Sequence, residues 1–256
     1  MEHVNYSLDA HGVATITLNR DEKRNALTHA MSEALLQFVD RAAADGGRVV
    51  VLRANRGVNV WCAGHDLSEL DPRTLYTANP TLDVFRKVQS SPLPVIAMVE
   101  GRVFAAGLLL VLCADIVLAT PDAEIAISSN RMGIPLTPDL YAFWLRVMGL
   151  HRVKELLFTA APLSAQDALQ AGLYNHVVQP HELEQRTAQM IDQILANSPE
   201  GIANTKFQLN LIAQQTGLTA DVLTQIAAQS EKLLHTPDVQ RRIADLLQSL
   251  RGDAST

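Results

Sequence analysis

The stretch Val60-Trp61-Cys62-Ala63-Gly64-His65-Asp66-Leu67 decides how the rest of the chain is read. A β-rich run, Val49-Val50-Val51-Leu52, leads towards it, and at Ala63-Gly64 the side chains shrink almost to nothing before a His-Asp pair. Small residues let a ligand approach the main chain, and glycine reaches turn conformations that other residues resist. A backbone N–H displayed there suits a developing oxyanion. The plainer alternative is a strand-to-helix turn with an incidental His and a helix-capping Asp.

Composition sets the frame around this stretch. The 256 residues are 48% hydrophobic and 19% charged, enough for a sizeable core. The formal net charge of −6 argues against a nucleic-acid partner, which calls for a basic footprint. The two cysteines, Cys62 and Cys113, have no CxxC spacing, so neither a metal site nor a disulfide framework is expected. Met1-Glu2-His3-Val4-Asn5 carries no signal-peptide pattern. The apolar run from Leu108 to Leu112 is interrupted by Asp115 and is too short to span a bilayer. A cytoplasmic protein with no membrane partner is expected.

Upstream, Val13 to Leu18 alternates as a strand does, and residues 19–25 form a polar connection. A helix follows Thr28, a good N-cap, with Met31, Leu35, Phe38 and Val39 at helical spacing, and Ala44-Asp45-Gly46-Gly47 ends it. Downstream, residues 71–80 read as a loop and 81–89 as a helix. Val95 to Val99 is a strand, Gly101 to Gly107 a second small-residue turn, and Leu108 to Cys113 a helix apolar on all sides. Short strands are expected at 116–119 and 124–127, and helices at 141–148 and 153–159 and from Ser164 to Gly172. A further short strand is expected at 174–178. Amphipathic helices follow from His181, broken at Ser198-Pro199, Gly217 and Thr236-Pro237. A core over residues 1–198 and a C-terminal helical region over 199–256 are the expected divisions.

Several of these segments resemble one family. Arg24-Asn25-Ala26-Leu27, Cys62 to Leu67, Pro94 to Gly101 followed by Ala105-Ala106-Gly107, and Ala114-Asp115 are similar to the crotonase (enoyl-CoA hydratase/isomerase) superfamily. So are Leu157-Phe158-Thr159, Ser164-Ala165-Gln166 and Ala171-Gly172-Leu173, in the same order and at compatible spacing between about Val13 and Lys206. The resemblance implies an α/β fold, the crotonase (ClpP/crotonase-like) spiral of ββα units with a C-terminal helical trimerisation region. It further implies an acyl-CoA thioester as substrate, coenzyme A entering only as part of that substrate, no other cofactor, and a homotrimer or dimer of trimers.

By the same resemblance, two backbone N–H groups, of His65 and Ala106, hold an enolate-like oxyanion. Arg24 and Ala26 correspond to positions beside the pantetheine and phosphates, and Ala63, Asp66 and Leu67 to the adenine side, with Gly64 counted among the substrate-binding residues. Hydratases of the family use two glutamates to activate water, and those places hold Leu109 and Ser129 here. Leucine cannot transfer a proton, and serine is a poor acid or base without a partner. The Ala-Gly-His-Asp form is similar to the methylmalonyl-CoA decarboxylase branch, which needs less acid–base equipment and uses a tyrosine after a Gly-x-Pro turn. Here Gly133-Ile134-Pro135 is followed by Leu136, and Tyr141 is the nearby tyrosine. His65, with an ordinary pKa near neutrality, is expected to orient a carboxylate or protonate the product carbon. The alternatives are hydration or isomerisation by nonstandard groups (Ser129, Asn130 or Tyr141), or acyl-CoA binding without catalysis, as in some of the hydratase-domain-containing proteins that the pattern also resembles. Cys62 reads as a small buried thiol, and Leu108, Leu109, Leu136, Phe143 and Trp144 hint at an apolar acyl pocket.

Overall fold

The computed structural model describes residues 3–69, 80–134, 136–214 and 220–253. The loop expected over 71–80 falls, except for Pro80, outside them. In chain order the regular elements are β1 (Val4–Leu8), β2 (Val13–Leu18), α1 (His29–Ala44), β3 (Val49–Ala54), β4 (Val60–Cys62), α2 (Pro80–Ser90), β5 (Val95–Val99), β6 (Arg102–Phe104), α3 (Gly107–Cys113), β7 (Ile116–Ala119) and β8 (Ile125–Ala126). After them come α4 (Pro138–Met148), α5 (Leu150–Thr159), α6 (Ala165–Gln170), β9 (His176–Val177), α7 (Pro180–Leu195), α8 (Pro199–Gln214), α9 (Ala220–Leu234) and α10 (Pro237–Asp253).

The strands form two sheets. A six-stranded sheet runs β1-β2-β3-β5-β7-β9, and a three-stranded sheet runs β4-β6-β8. Strands β3, β5 and β7 of the large sheet are each followed by one of the small sheet, β4, β6 and β8, so each of these three turns of the chain adds a strand to both. This is the spiral of ββα units that the sequence implied. All pairings are parallel except β1 with β2. Parallel strands covered on both faces read as continuous apolar runs, and β3 and β5 are accordingly buried along almost their whole length. Val49, Val51, Ile96, Met98 and Leu118 pack with Leu183 of α7. Each such side chain contributes about 1.5–3 kcal/mol by leaving water. Helix α1 starts where expected, the Thr28 hydroxyl accepting the Met31 N–H at 3.1 Å.

The chain forms two compact units, Met1–Ala126 with Pro162–Ile212, and Ile127–Ala161 with Ala213–Thr256. The first contains both sheets. Within it, buried Lys206 of α8 donates to the carbonyls of Val88 (2.9 Å) and Leu93 (2.8 Å) and to Asp115 Oδ2 (2.7 Å). The second is helical. In it Arg131 donates to the Ala160 carbonyl at the end of α5, and a Cβ on Gly133 would collide with the Val239 side chain of α10. No described helix is long and apolar enough to cross a membrane.

Candidate active site

The first turn is built from two segments that lie far apart in sequence. Residues 20–27 fold into a short 3-10 turn and then run beside residues 62–66. The pairing consists of Ala63 N–H to the Arg24 carbonyl (2.9 Å), Leu27 N–H to the Gly64 carbonyl (2.7 Å) and Asp66 N–H to the Leu27 carbonyl (2.8 Å). Arg24 and Asn25 both have left-handed backbone, with φ of 54° and 52°. Asparagine tolerates that conformation, and buried Asn25 secures it by accepting the Arg20 N–H through Oδ1 at 2.8 Å. The Cys62 thiol donates to the Asn25 carbonyl at 3.2 Å. Burial pushes that thiol up to about 12, so Cys62 is a packing residue and not a nucleophile at neutral pH.

Arg24, Ala26, Ala63, Gly64, Asp66 and Leu67 are thus brought together on two adjacent segments. The Arg24 side chain is exposed and makes no ion pair among the described residues. Asp66, by contrast, commits both carboxylate oxygens to the protein: Oδ2 accepts from Arg20 at 2.6 Å, and Oδ1 from the Ser68 N–H and hydroxyl at 3.0 and 2.6 Å. Burial acts to raise the Asp66 pKa, but the bonds from Ser68 and Arg20 outweigh it and hold the carboxyl below its usual range. Arg20, which also donates to the Ala26 carbonyl at 2.9 Å, was not singled out from the sequence. Its only signal was its place at the head of the polar connection.

The second turn meets the first directly. A Cβ built on Gly64, whose φ is +91°, would stand 2.9 Å from both Ala106 N and Ala105 Cβ. A Cβ on Gly107 would stand 2.8 Å from the Cys62 carbonyl oxygen. No other residue satisfies either position without displacing the opposite turn. Ala105 takes φ 44° and aims the chain into α3, with Ala106 as its N-cap. The N–H groups of Leu108 and Leu109 fold back onto the Ala105 and Ala106 carbonyls, and that of Ala105 goes to Ala126. The Ala106 N–H has no acceptor among the described residues. A helix start concentrates donors and positive potential. At residue 65, Leu27 pairs with the groups on either side, so the His65 N–H points away from Leu27, as alternate groups do along an extended chain. Two backbone donors on touching turns can serve one oxygen. Leu109, one turn into α3, is buried and carries no proton.

The His65 ring is largely buried. Its Nδ1 lies 3.5 Å from Thr81 Oγ1 on α2, which is 3.1 Å from Ser32 Oγ on α1. Desolvation, helped by the nearby His29, lowers its pKa from 6.5 to about 4. This corrects the expectation of an imidazole that titrates near neutrality: the ring is neutral there, so it donates or accepts a hydrogen bond and does not deliver a proton as imidazolium. Ser32 and Thr81 also escaped the sequence reading. The available signal was a hydroxyl on the apolar face of each helix.

Ser129, Leu136 and Tyr141 belong to the second unit. Ser129 opens a 3-10 turn, and its hydroxyl is buried with no hydrogen-bond partner among the described residues. The Tyr141 hydroxyl accepts the Leu136 N–H at 3.1 Å and keeps its own proton to donate. Asn130, suggested as an alternative acid–base group, is instead structural, its Nδ2 donating to the Leu157 carbonyl at 2.8 Å. Among the described residues no three His, Cys, Asp or Glu side chains gather as a metal site.

The model of the enoyl-CoA hydratase/isomerase family matches residues 9–245. Methylmalonyl-CoA decarboxylase of Escherichia coli is 32% identical over 241 residues, covering 92% of each chain. A short-chain-enoyl-CoA hydratase of Clostridium acetobutylicum is 28% identical, covering 90% of this chain and 88% of its own. The solved structure of a methylmalonyl-CoA decarboxylase in complex with 2-nitronate-propionyl-CoA superposes with a TM-score of 0.91 at 31% identity, covering 97% of this chain and 96% of that one.

Proposed function

From the premise that the chain belongs to the enoyl-CoA hydratase/isomerase family, the crotonase superfamily, we propose that it is a lyase that decarboxylates a malonyl-type CoA thioester. The observation that carries this reading is the contact of Gly64 with Ala105 and Ala106. It sets two backbone donors beside one another while the nearest helix side chain, Leu109, is apolar. Decarboxylation suits such a site. The bond from the α-carbon to the carboxylate breaks, CO₂ leaves, and the electron pair moves onto the thioester oxygen as an enolate held by the His65 and Ala106 N–H groups. A proton from solvent then completes the saturated acyl-CoA.

One such donor is worth about 3–4 kcal/mol in the transition state. The neutral His65 ring orients the departing carboxylate through a hydrogen bond. An imidazolium would form an ion pair with the carboxylate and stabilise the ground state that must be left. Exposed Arg24 supplies a cation for the phosphates of coenzyme A. The similarity to methylmalonyl-CoA decarboxylase supports the same reaction class.

A second reading, hydration or isomerisation of an enoyl-CoA, draws on the Ser129 hydroxyl, which has no partner among the described residues, and on the remaining proton of Tyr141. Incubation with a panel of malonyl-type and 2-enoyl thioesters, followed by mass spectrometry, separates the two. The expected result is loss of CO₂ from a malonyl-type ester. Addition of water without loss of CO₂ favours the second reading, and tight binding with no turnover identifies a non-catalytic acyl-CoA-binding protein. Phe207, Leu209, Leu211 and Ile212 of α8 are exposed at 65%, 61%, 45% and 66%. Such an apolar surface supports a homotrimer or dimer of trimers in solution, and a monomer by light scattering at micromolar concentration contradicts it.

A further inference from the structure

We propose that Arg20 is a positioning residue for the coenzyme A end of the site: it holds residues 20–27 in the shape that presents Arg24 to the phosphates. The proposal rests on the reading of Arg24 as the cation that meets them.

Arg24 and Asn25 are consecutive residues with left-handed backbone, which is unfavourable for a residue with a Cβ. Such a pair persists where the surroundings over-determine it, and most of that determination comes from Arg20. Its N–H donates to Asn25 Oδ1 at 2.8 Å. Its carbonyl accepts the N–H groups of Lys23 at 3.0 Å and Asn25 at 2.9 Å. Its Nη1 donates to the Ala26 carbonyl at 2.9 Å and to Asp66 Oδ2 at 2.6 Å. The main chain of Arg20 therefore closes the loop on itself, and its side chain ties the loop to the 62–66 turn.

The two side chains of this ion pair are only 14% and 15% exposed, and a partly buried pair is screened less than one in open water. Asp66 is an anchored partner, because its Oδ1 is held independently by Ser68. The head of the loop is fixed as well. Asn55, just beyond β3, donates to Asn19 Oδ1 at 2.7 Å and to Asp21 Oδ2 at 2.8 Å. Between these two anchors Arg24 stands at the left-handed turn, its carbonyl accepting the Ala63 N–H and its side chain exposed. A guanidinium there offers a planar fork to a phosphate. Asp66 then serves the ligand through Arg20 and does not touch it, since both of its oxygens are committed.

The test measures, by calorimetry, the affinities of the full-length protein for propionyl-CoA and for S-propionyl-pantetheine, which lacks the phosphates and the adenosine. The proteins are the wild type, Arg20→Gln, Arg24→Gln and the double variant. The wild type should favour the CoA ester. Arg20→Gln and Arg24→Gln should each lower that preference roughly 10-fold, the scale of one charge-assisted hydrogen bond. Affinity for the pantetheine ester should hold within a few-fold, a split that a general loss of folding does not produce. In the Arg24→Gln background, Arg20→Gln should have no further effect on the preference, because it acts through Arg24. Asp66→Asn, which removes the charge that anchors Arg20, should give the same loss and serves if Arg20→Gln does not fold. A preference that survives in these variants, or losses from residues 20 and 24 that add in the double variant, overturns the proposal. Equal binding of the two esters by the wild type defeats instead the reading of Arg24 as a cation for the phosphates.

Discussion

The paired turns of the first unit and the helical second unit place chemistry on different atoms. In the proposed reaction the main chain is the reagent at Gly64-His65 and Ala105-Ala106-Gly107, and the sequence need only keep out of its way. At Ser129, Leu136 and Tyr141 anything chemical must be done by side chains. The first arrangement restricts residues to those that fit: a Cβ at 64 or at 107 lies within 3 Å of the opposite turn. The second restricts them by reactivity, and there a hydroxyl without a partner among the described residues (Ser129) and a phenol that already accepts a bond (Tyr141) leave little acid–base capacity. An oxyanion site can therefore persist while the reaction it serves changes.

Two glycines break the comparison most forcefully. Both Gly64 and Gly133 have positive φ, +91° and +69°, and both are packed against another segment. Alanine at either should cost roughly 1–3 kcal/mol from backbone strain, read as a shift in urea midpoint, together with an overpacking cost. Only Gly64→Ala is expected to displace Ala106, and so to lower kcat/KM on a malonyl-type ester by about 10²–10³-fold, the effect of losing an oxyanion donor. Gly133→Ala should keep kcat within a few-fold. Equal losses from the two would remove the distinction between the regions.

The buried imidazole gives the next effect. Its folded pKa, about 4, lies below the unfolded 6.5. Between these values the unfolded chain binds the proton and the folded chain does not, so the contribution is fully present above 6.5 and is lost as pH falls. The whole shift corresponds to about 3 kcal/mol. Urea unfolding at pH 7 and pH 5 should therefore show a steeper loss for the wild type than for His65→Gln. Parallel losses would mean that the ring is solvated. The smallest effects belong to the second unit. Tyr141→Phe should cost about 1 kcal/mol of stability for one hydrogen bond, and Ser129→Ala less. Neither should change the decarboxylation rate by more than about 10-fold, since general acid–base groups contribute more than that.

Much of the fold was legible because buried parallel strands announce themselves. Val49 to Leu52, Val95 to Val99 and Ile116 to Ala119 are apolar runs with no competing reading, and Thr28 marked its helix. Strand β1 was missed: only Val4 of Val-Asn-Tyr-Ser-Leu is fully buried, the pattern of an edge. The three-residue strands β4 and β6 are too short to show a period and read as parts of turns. At the site, the small residues and their pairing were legible, because smallness is a property of sequence. The neutrality of His65 was not, since it depends on burial by segments distant in sequence and on the nearby His29. Nor was the role of Asp66, whose carboxylate is occupied by Arg20 and Ser68.

The central claim is that two main-chain donors stabilise a thioester enolate. Its most direct test compares affinities for 2-nitronate-propionyl-CoA, a planar anion conjugated to the thioester, and for propionyl-CoA. The proteins to compare are the wild type and Ala106→Pro built with Ala105→Gly. Ala106 has φ −63°, which proline adopts, so the change deletes one N–H, and the glycine relieves the positive φ before it. The wild type should bind the nitronate at least about 10²-fold more tightly, as transition-state analogues bind. The variant should lose most of that preference while holding propionyl-CoA almost as before. Equal binding of the two ligands by the wild type, or a preference that survives in the variant, would contradict the account.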